Sequence, residues 1–296
     1  MTRRGNPPAA SVPDEISAAL AQHLPRLRLR SVVELGSGLD NVAYDVNGEL
    51  VVRRRRDPDQ VRQSTGVRRE AALLTAVAAW STLPVPEVVF VDEITGVIAH
   101  RLLPGRPLLD RPDVDPARLA PALGSFLSRL HLVPLEELAG LVDHDDAPPQ
   151  AWLEETRVAY REIASYVAAA DQSRIEDFLA APPPPESPAV AFCHNDLGAE
   201  HLLVGGEPAS VTGVIDWTDA ALADPAHDLA RPYRDLGPAA FEVMLAHYDR
   251  QLDPATLART RFFARCALVE DLAYGLREGD LRYSDAASKR LSAIFA

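Results

Sequence analysis

Lysine is almost missing from this chain: among its 30 basic residues, Lys289 is the only one that is not arginine. That shortage excludes a phosphate loop of the glycines-then-lysine type and an enzyme working through a Schiff-base lysine, since each needs an ammonium at a fixed place. Cysteine is scarce as well. Cys193 and Cys266 cannot build a disulfide framework and have no metal-ligand spacing, so both are expected as small, buried, reduced residues. No apolar run approaches a membrane span; the longest candidate, Ala71 to Trp80, is about half the required length. Met1 to Ala10 is basic, then proline-rich, without the apolar stretch of a signal peptide. These absences predict a cytoplasmic protein with no membrane partner. Positive charge is also short: the formal balance is −13, which argues against a nucleic-acid partner.

What is present suits a soluble globular chain of 296 residues, with 47% hydrophobic and 25% charged side chains. The charge is uneven. Residues 1–106 carry 14 basic and 12 acidic groups, net +2, and residues 107–296 carry 16 and 31, net −15. Two readings stand: two lobes with different ligands, the second suited to cations, or acidic helix surfaces that keep the chain in solution. The first lobe, residues 1–103, reads β-rich. Arg28 to Leu35 alternates weakly until Gly36-Ser37-Gly38 breaks it; Asn41 to Val46 and Glu49 to Arg53 flank an Asn47-Gly48 hairpin turn. The spacing then predicts a helix over Arg62 to Trp80, with Ala71, Leu74, Val77 and Ala78 on its buried face. Strands at Glu87 to Val91 and Gly96 to Leu102 complete the lobe. Residues 104–296 read mostly helical, with helices over Pro116 to His131 and Trp152 to Ala170 and a return to helix over Ala239 to Ala296. Between them lies a strand–loop–strand–turn–strand segment, Ala189 to Trp217, turning at Gly205-Gly206. The predicted fold class is α+β: a small antiparallel β lobe with one long helix, then a larger helical lobe around a central hairpin.

That hairpin carries the chemistry. It reads Phe192-Cys193-His194-Asn195-Asp196-Leu197-Gly198-Ala199-Glu200-His201, with Val214-Ile215-Asp216-Trp217 closing it. A hairpin returns its last residue near its first, so Asp196, His201 and Asp216 can converge on one small volume. Two carboxylates and an imidazole so placed suit a cation or a proton-transfer task. The spacing matches the protein-kinase pattern of H-x-D, a magnesium ligand after four more residues, and a metal-binding Asp ending the next hairpin. A kinase also needs a cation on the third strand and a helix Glu to hold it. Arg53 and Glu70 supply these by position, although Arg54, Arg55 and Arg56 compete for the phosphate role.

The chain resembles the aminoglycoside and macrolide phosphotransferases, antibiotic kinases with the protein-kinase fold, from about Val32 to the C-terminal helices. The segments that carry the resemblance are His194 to Val204, Gly213 to Trp217 and Asp224-Pro225-Ala226-His227-Asp228-Leu229-Ala230. Where the family usually writes H-G-D-L, this chain has Asn195 for Gly. His201 and Gly38-Leu39-Asp40 are similar to the macrolide branch, whereas Gly198-Ala199-Glu200 looks like kinases of cyclic-peptide antibiotics such as viomycin.

The resemblance implies that Asp196 is the catalytic base and that His201 and Asp216 hold magnesium. It implies that Asp228, with His194, supports the catalytic loop, and that Gly36, Ser37 and Gly38 form the nucleotide loop. Arg101, Leu102 and Leu103 match the hinge that meets the nucleotide base, with His100 as gatekeeper. Arg53 stands where many relatives have Lys, and Arg grips phosphates through a longer, planar fork. Glu270 and Asp271 are candidate contacts to a cationic acceptor, equally readable as a solvated helix face, and Trp152 and Tyr160 are candidate cleft aromatics or core. The expected reaction is magnesium-dependent transfer from ATP or GTP to an acceptor hydroxyl. A metabolic kinase of the same fold, acting on choline, homoserine, a thio-sugar or a fructosamine, and a nucleotide-binding pseudokinase are the alternatives.

Overall fold

The computed structural model describes residues 14–37, 41–55 and 59–296. The chain divides into two compact units. One comprises the described residues of Met1–Ala79 with Val85–Leu103, and the other Trp80–Pro84 with Pro104–Ala296.

In the first unit, α1 (Asp14–His23) precedes β1 (Val32–Ser37), β2 (Asn41–Val46) and β3 (Leu50–Arg55); then come α2 (Gln60–Trp80), β4 (Val88–Asp92) and β5 (Val97–Arg101). The strands form one antiparallel sheet in the order β1-β2-β3-β5-β4. Asn47 and Gly48 have φ of +63° and +70°, the left-handed backbone these two residue types adopt at least cost. The Asp45 carboxylate accepts the Gly48 N–H at 2.7 Å and pins the turn. Alternation along β2 buries Val42, Tyr44 and Val46, which join Leu50, Val52, Phe90, Val97 and Ala99 under Ile16, Ala19 and Leu20 of α1. The opposite face of β3 therefore presents Val51, Arg53 and Arg55.

Two expectations for this unit need correction. Gly36 and Ser37 do not form a turn. They extend β1, opposite Ala43 and Val42, after a bulge between Glu34 and Gly36, because a bulge absorbs one extra residue and lets the strand continue. Gly38, Leu39, Asp40 and Arg56 lie outside the described residues, as does Met1 to Ala10. The buried face of α2 is Val67, Leu73, Leu74 and Val77, while Ala78 is exposed and Ala71 only half-buried. An alanine offers too little apolar area to set a helix's rotation against four branched residues.

The second unit contains β6 (Arg106–Pro107), α3 (Pro116–His131), β7 (Asp143–His144), α4 (Pro149–Ile163), α5 (Ala169–Ala180), β8 (Ala191–Cys193), β9 (Leu202–Gly205), β10 (Ser210–Val214), β11 (Ala221–Ala223), α6 (Ala226–Leu236), α7 (Pro238–Leu245), α8 (Pro254–Glu278) and α9 (Leu281–Ile294). Two small sheets, β10-β9-β6 and β7-β11-β8, sit among the helices. Asp115 and Asp253 cap α3 and α8 by accepting the amides of Ala117 and Thr256, each followed by proline at the first helical position. The single helix expected over Trp152 to Ala170 is instead α4 and α5. Gln172 stabilises the break: its side-chain amide donates to the Ala164 and Val167 carbonyls at 2.7 and 2.9 Å, the kind of group that a helix end leaves short of partners. Cys193 and Cys266 are buried and unbonded. Among the described residues no helix is long and apolar enough to cross a membrane.

Candidate active site

Strand β8 delivers the loop that carries the densest polar cluster. Its first residue, His194, is fully buried. Nε2 of its ring donates to the Ile215 carbonyl at 3.0 Å, and Nδ1 accepts the Asp196 N–H at 3.3 Å. Burial holds the ring below the ordinary histidine range, so it is neutral, in the one tautomer that satisfies both bonds. Trp217 packs on this ring with centroids 4.6 Å apart. Asn195 follows at φ +68°, a left-handed backbone that favours glycine and that asparagine tolerates best among the others. Its side-chain amide reaches Asp145 Oδ2 at 2.8 Å.

Asp196, His201 and Asp216 are brought together. His201 Nδ1 donates to the Asp196 main-chain carbonyl at 2.8 Å and lies 3.4 Å from Asp196 Oδ2. Its Nε2 is thereby turned toward Asp216, whose Oδ2 is 3.9 Å away. Asp216, at φ +59°, takes a 2.6 Å hydrogen bond from the Thr218 hydroxyl. Burial alone would push the Asp196 carboxyl up; the Arg231 guanidinium and the His201 ring outweigh it and hold the group below the usual carboxylate range. Burial would pull the His201 ring down, and the carboxylates of Asp196, Glu200 and Asp216 hold it above the usual range instead. Asp219 stands beside them, its carboxyl raised by burial and by the charges of Asp196 and Asp216. Such a surplus of negative charge around one imidazole fits a divalent cation. With Nδ1 committed, only Nε2 of His201 can offer a lone pair, next to an Asp216 oxygen. One nitrogen and one oxygen are donors that magnesium accepts and that suit the softer manganese better.

The loop is held by α6. Asp228, buried completely, accepts the His194 and Asn195 amides at 2.9 and 2.7 Å. His131 of α3 approaches the same carboxylate at 3.1 Å and meets the Tyr248 hydroxyl at 2.7 Å on its other nitrogen. One turn on, Arg231 Nη2 lies 2.7 Å from Asp196 Oδ1. One further turn on, Asp235 accepts the Ala199 amide at 2.7 Å while paired through two bonds with Arg234. Sequence reasoning found Asp228 but missed Arg231 and Asp235. The signal available was their spacing, three and seven residues after Asp228, which places all three on one helical face.

Glu270 and Asp271 of α8 behave differently. Asp271 is spent on Arg234, at 2.8 Å. Glu270 has a buried Oε1 with no hydrogen-bond partner; burial pushes its carboxyl up to about 7, against the pull of Arg231 and with help from Glu155. Trp152 packs against His227 and Phe263, with its indole Nε1 also buried and unpaired. Tyr160 is core, its hydroxyl donating to Glu176 at 3.2 Å.

In the first unit, Arg53 Nη1 meets Glu70 Oε1 at 2.9 Å. Arg54 turns the other way, to Glu15 at 3.2 Å, and the Arg55 guanidinium lies where a Cβ on Gly66 of α2 would be. In the segment expected to meet the nucleotide base, the Arg101 and Leu102 amides are already used, donating to the Glu87 and Glu49 carbonyls at 2.8 and 3.0 Å. His100 is buried. A Cβ on Gly36 would meet nothing within 4 Å.

The sequence profile described as the phosphotransferase enzyme family matches residues 31–263. Viomycin phosphotransferase of Streptomyces vinaceus is 27% identical over 199 residues, covering 64% of this chain and 67% of that protein. Among solved structures, a macrolide 2′-phosphotransferase from Brachybacterium faecium is 27% identical with a TM-score of 0.62, covering 94% of this chain and 98% of its own. An aminoglycoside phosphotransferase solved with GDP and kanamycin shares the fold, with a TM-score of 0.66 at 21% identity, over 94% and 97% of the two chains.

Proposed function

Since this chain belongs to the phosphotransferase enzyme family, whose kinase-like α+β fold it has, we propose that it transfers the γ-phosphoryl group of ATP or GTP to a hydroxyl of an antibiotic-like acceptor. Small-molecule phosphotransfer is the coarser reading, and it rests on the family itself. The finer reading rests above all on the Asp196 carboxylate lying 3.4 Å from His201, whose second nitrogen faces Asp216.

In this mechanism the acceptor oxygen forms a bond to the γ-phosphorus as the bond to the bridging oxygen breaks, releasing the nucleoside diphosphate. Asp196, kept ionised by Arg231, orients the hydroxyl and takes its proton. His194 and Asp228 keep the loop amides in place and so fix where Asp196 stands. His201 and Asp216 would hold magnesium, which offsets charge on the phosphates when bound. In the first unit Arg53, steadied by Glu70, grips phosphates, and the Leu103 amide and Leu102 carbonyl are left to meet the base, the Arg101 carbonyl already lying 3.2 Å from the His100 ring. Gly36 and Ser37 line the same nucleotide, in the residue 1–103 domain; residues 104–296 carry catalysis and acceptor recognition. Glu270, with its unpaired oxygen, is the better of the two acidic candidates for an acceptor amine. Viomycin, kanamycin and a macrolide, the acceptors that relatives' names supply, are the acceptors to try, with a cytoplasmic nucleotide as donor.

The test is phosphorylation of that panel by purified protein with ATP or GTP and magnesium. Asp196→Asn is expected to lower kcat by about 10²–10⁴-fold, the usual worth of general-base help. Undiminished transfer by Asp196→Asn removes the catalytic assignment.

A further inference from the structure

Helix α6 grips the 194–199 loop at three heights of a single face. Asp228 takes the amides of His194 and Asn195 at its start, Asp235 takes the amide of Ala199 at its end, and Arg231 lies between them. The two outer residues hold main chain. Of the three, Arg231 is the one that reaches a side chain of the loop, and that side chain is Asp196, at 2.7 Å. We infer that Arg231 is a positioning residue, which sets the direction of the Asp196 carboxylate while Asp228 and Asp235 set the loop beneath it.

The physical case turns on what else could hold the carboxylate. Asp196 Oδ2 is 3.4 Å from His201 Nδ1, but that nitrogen's proton goes to the Asp196 main-chain carbonyl at 2.8 Å. Without Arg231 the carboxylate keeps only the His201 ring, at 3.4 Å and with its Nδ1 proton directed elsewhere. Its side chain is about one-fifth exposed, leaving room to change rotamer, and a general base displaced by 1 Å can cost about 100-fold in rate. The arginine lies beside a buried charge array: Glu200 and Asp271 favour its charge, Arg234 opposes it, and Arg234 is tied to Asp235 and Asp271. A lysine in its place would offer a point charge on a flexible stem, without the planar fork.

The inference rests on the phosphotransferase reading, and the test separates the two. Turnover is measured with ATP or GTP, magnesium and viomycin, kanamycin or a macrolide, and again with water as acceptor, for wild type, Arg231→Met, Arg231→Lys, Asp196→Asn and Arg231→Met with Asp196→Asn. Arg231→Met is expected to lower kcat by roughly 10–100-fold with the nucleotide KM within about twofold of wild type, and added guanidinium ion is expected to restore part of the rate. The double variant is expected to be no slower than Asp196→Asn alone, because both changes act through one carboxylate. If Arg231→Met does not fold, Arg231→Lys carries the test, with the same split between kcat and KM at a smaller fall. A crystal structure of the variant supplies a readout independent of turnover: the 194–199 main chain stays and the Asp196 carboxylate turns away. Retained kcat, an additive double variant, or an unmoved carboxylate overturns the inference. No turnover by wild type on any acceptor, with the carboxylate turned in the variant, defeats the phosphotransferase reading and keeps the clamp.

Discussion

At the scale of single residues, the chain makes exchanges that its backbone or charge allows. Asn195 stands where relatives usually write glycine, and its φ of +68° explains which substitutes are admissible. Asn195→Ala is expected to cost about 1–2 kcal/mol, since a Cβ without a local hydrogen bond is strained there. Asn195→Gly is expected to fall well short of that cost; chemical denaturation of the two variants compares them. Arg53 is the second exchange. Paired with Glu70 at 2.9 Å, it is expected to lower nucleotide affinity by about 10–100-fold when changed to Ala, the worth of a charge-assisted contact. Lys289→Ala, on the exposed side of α9, is expected to stay within about twofold. Equal losses in a nucleotide titration would count against Arg53. His201 is the third. Because nitrogen is a softer donor than an amide oxygen, His201→Asn is expected to shift the preferred ion toward magnesium and away from manganese, read from the two metal-activation curves.

At the scale of elements, the loops were more legible than the helix faces. Hairpin β2–β3 follows from Asn47-Gly48, because few residue pairs accept two left-handed positions in succession. The β9–β10 hairpin follows from its glycines and flanking apolar strands. The face of α2 and the break between α4 and α5 did not follow. The first is set by the core the helix meets, and the second by a Gln172 side chain whose reach back to the Ala164 and Val167 carbonyls no residue pattern announces. Close approach of helices is equally invisible in sequence. Gly124 lets α3 lie against α7, where a Cβ would come within 2.2 Å of the Met244 carbonyl oxygen. Gly124→Ala is therefore expected to destabilise by about 1–3 kcal/mol, despite alanine's better helix propensity. A melting temperature at or above wild type would show that α7 yields.

At the scale of the molecule, burial decides what the −13 charge does. Most of it lies in residues 104–296, and part of it is not on the surface at all: Asp228, Asp235 and Arg234 are buried. Glu270 is the test case. Its carboxyl is raised by burial to about 7, with Glu155 adding to the rise and Arg231 and Arg234 opposing it. A carboxyl raised above its unfolded value binds its proton more tightly in the folded state, so this contribution is present at acid pH. It is lost as pH climbs through about 7. Glu270→Gln is expected to flatten the fall in melting temperature between roughly pH 4.5 and 7.5, and parallel curves for variant and wild type would contradict the shift.

The near-absence of lysine already required an arginine wherever a long cation is needed, and the spacing of Asp196, His201 and Asp216 already required a hairpin to bring them together. These are local facts, fixed by residue type and by the period of strands and turns. Which charged residues leave the surface was decided only in the tertiary structure. Arg231 and Asp235 look like any solvated helix positions in the sequence. Their roles exist because α6 lies across a loop some 30 residues earlier in the chain, where buried amides and a half-buried carboxylate demand partners.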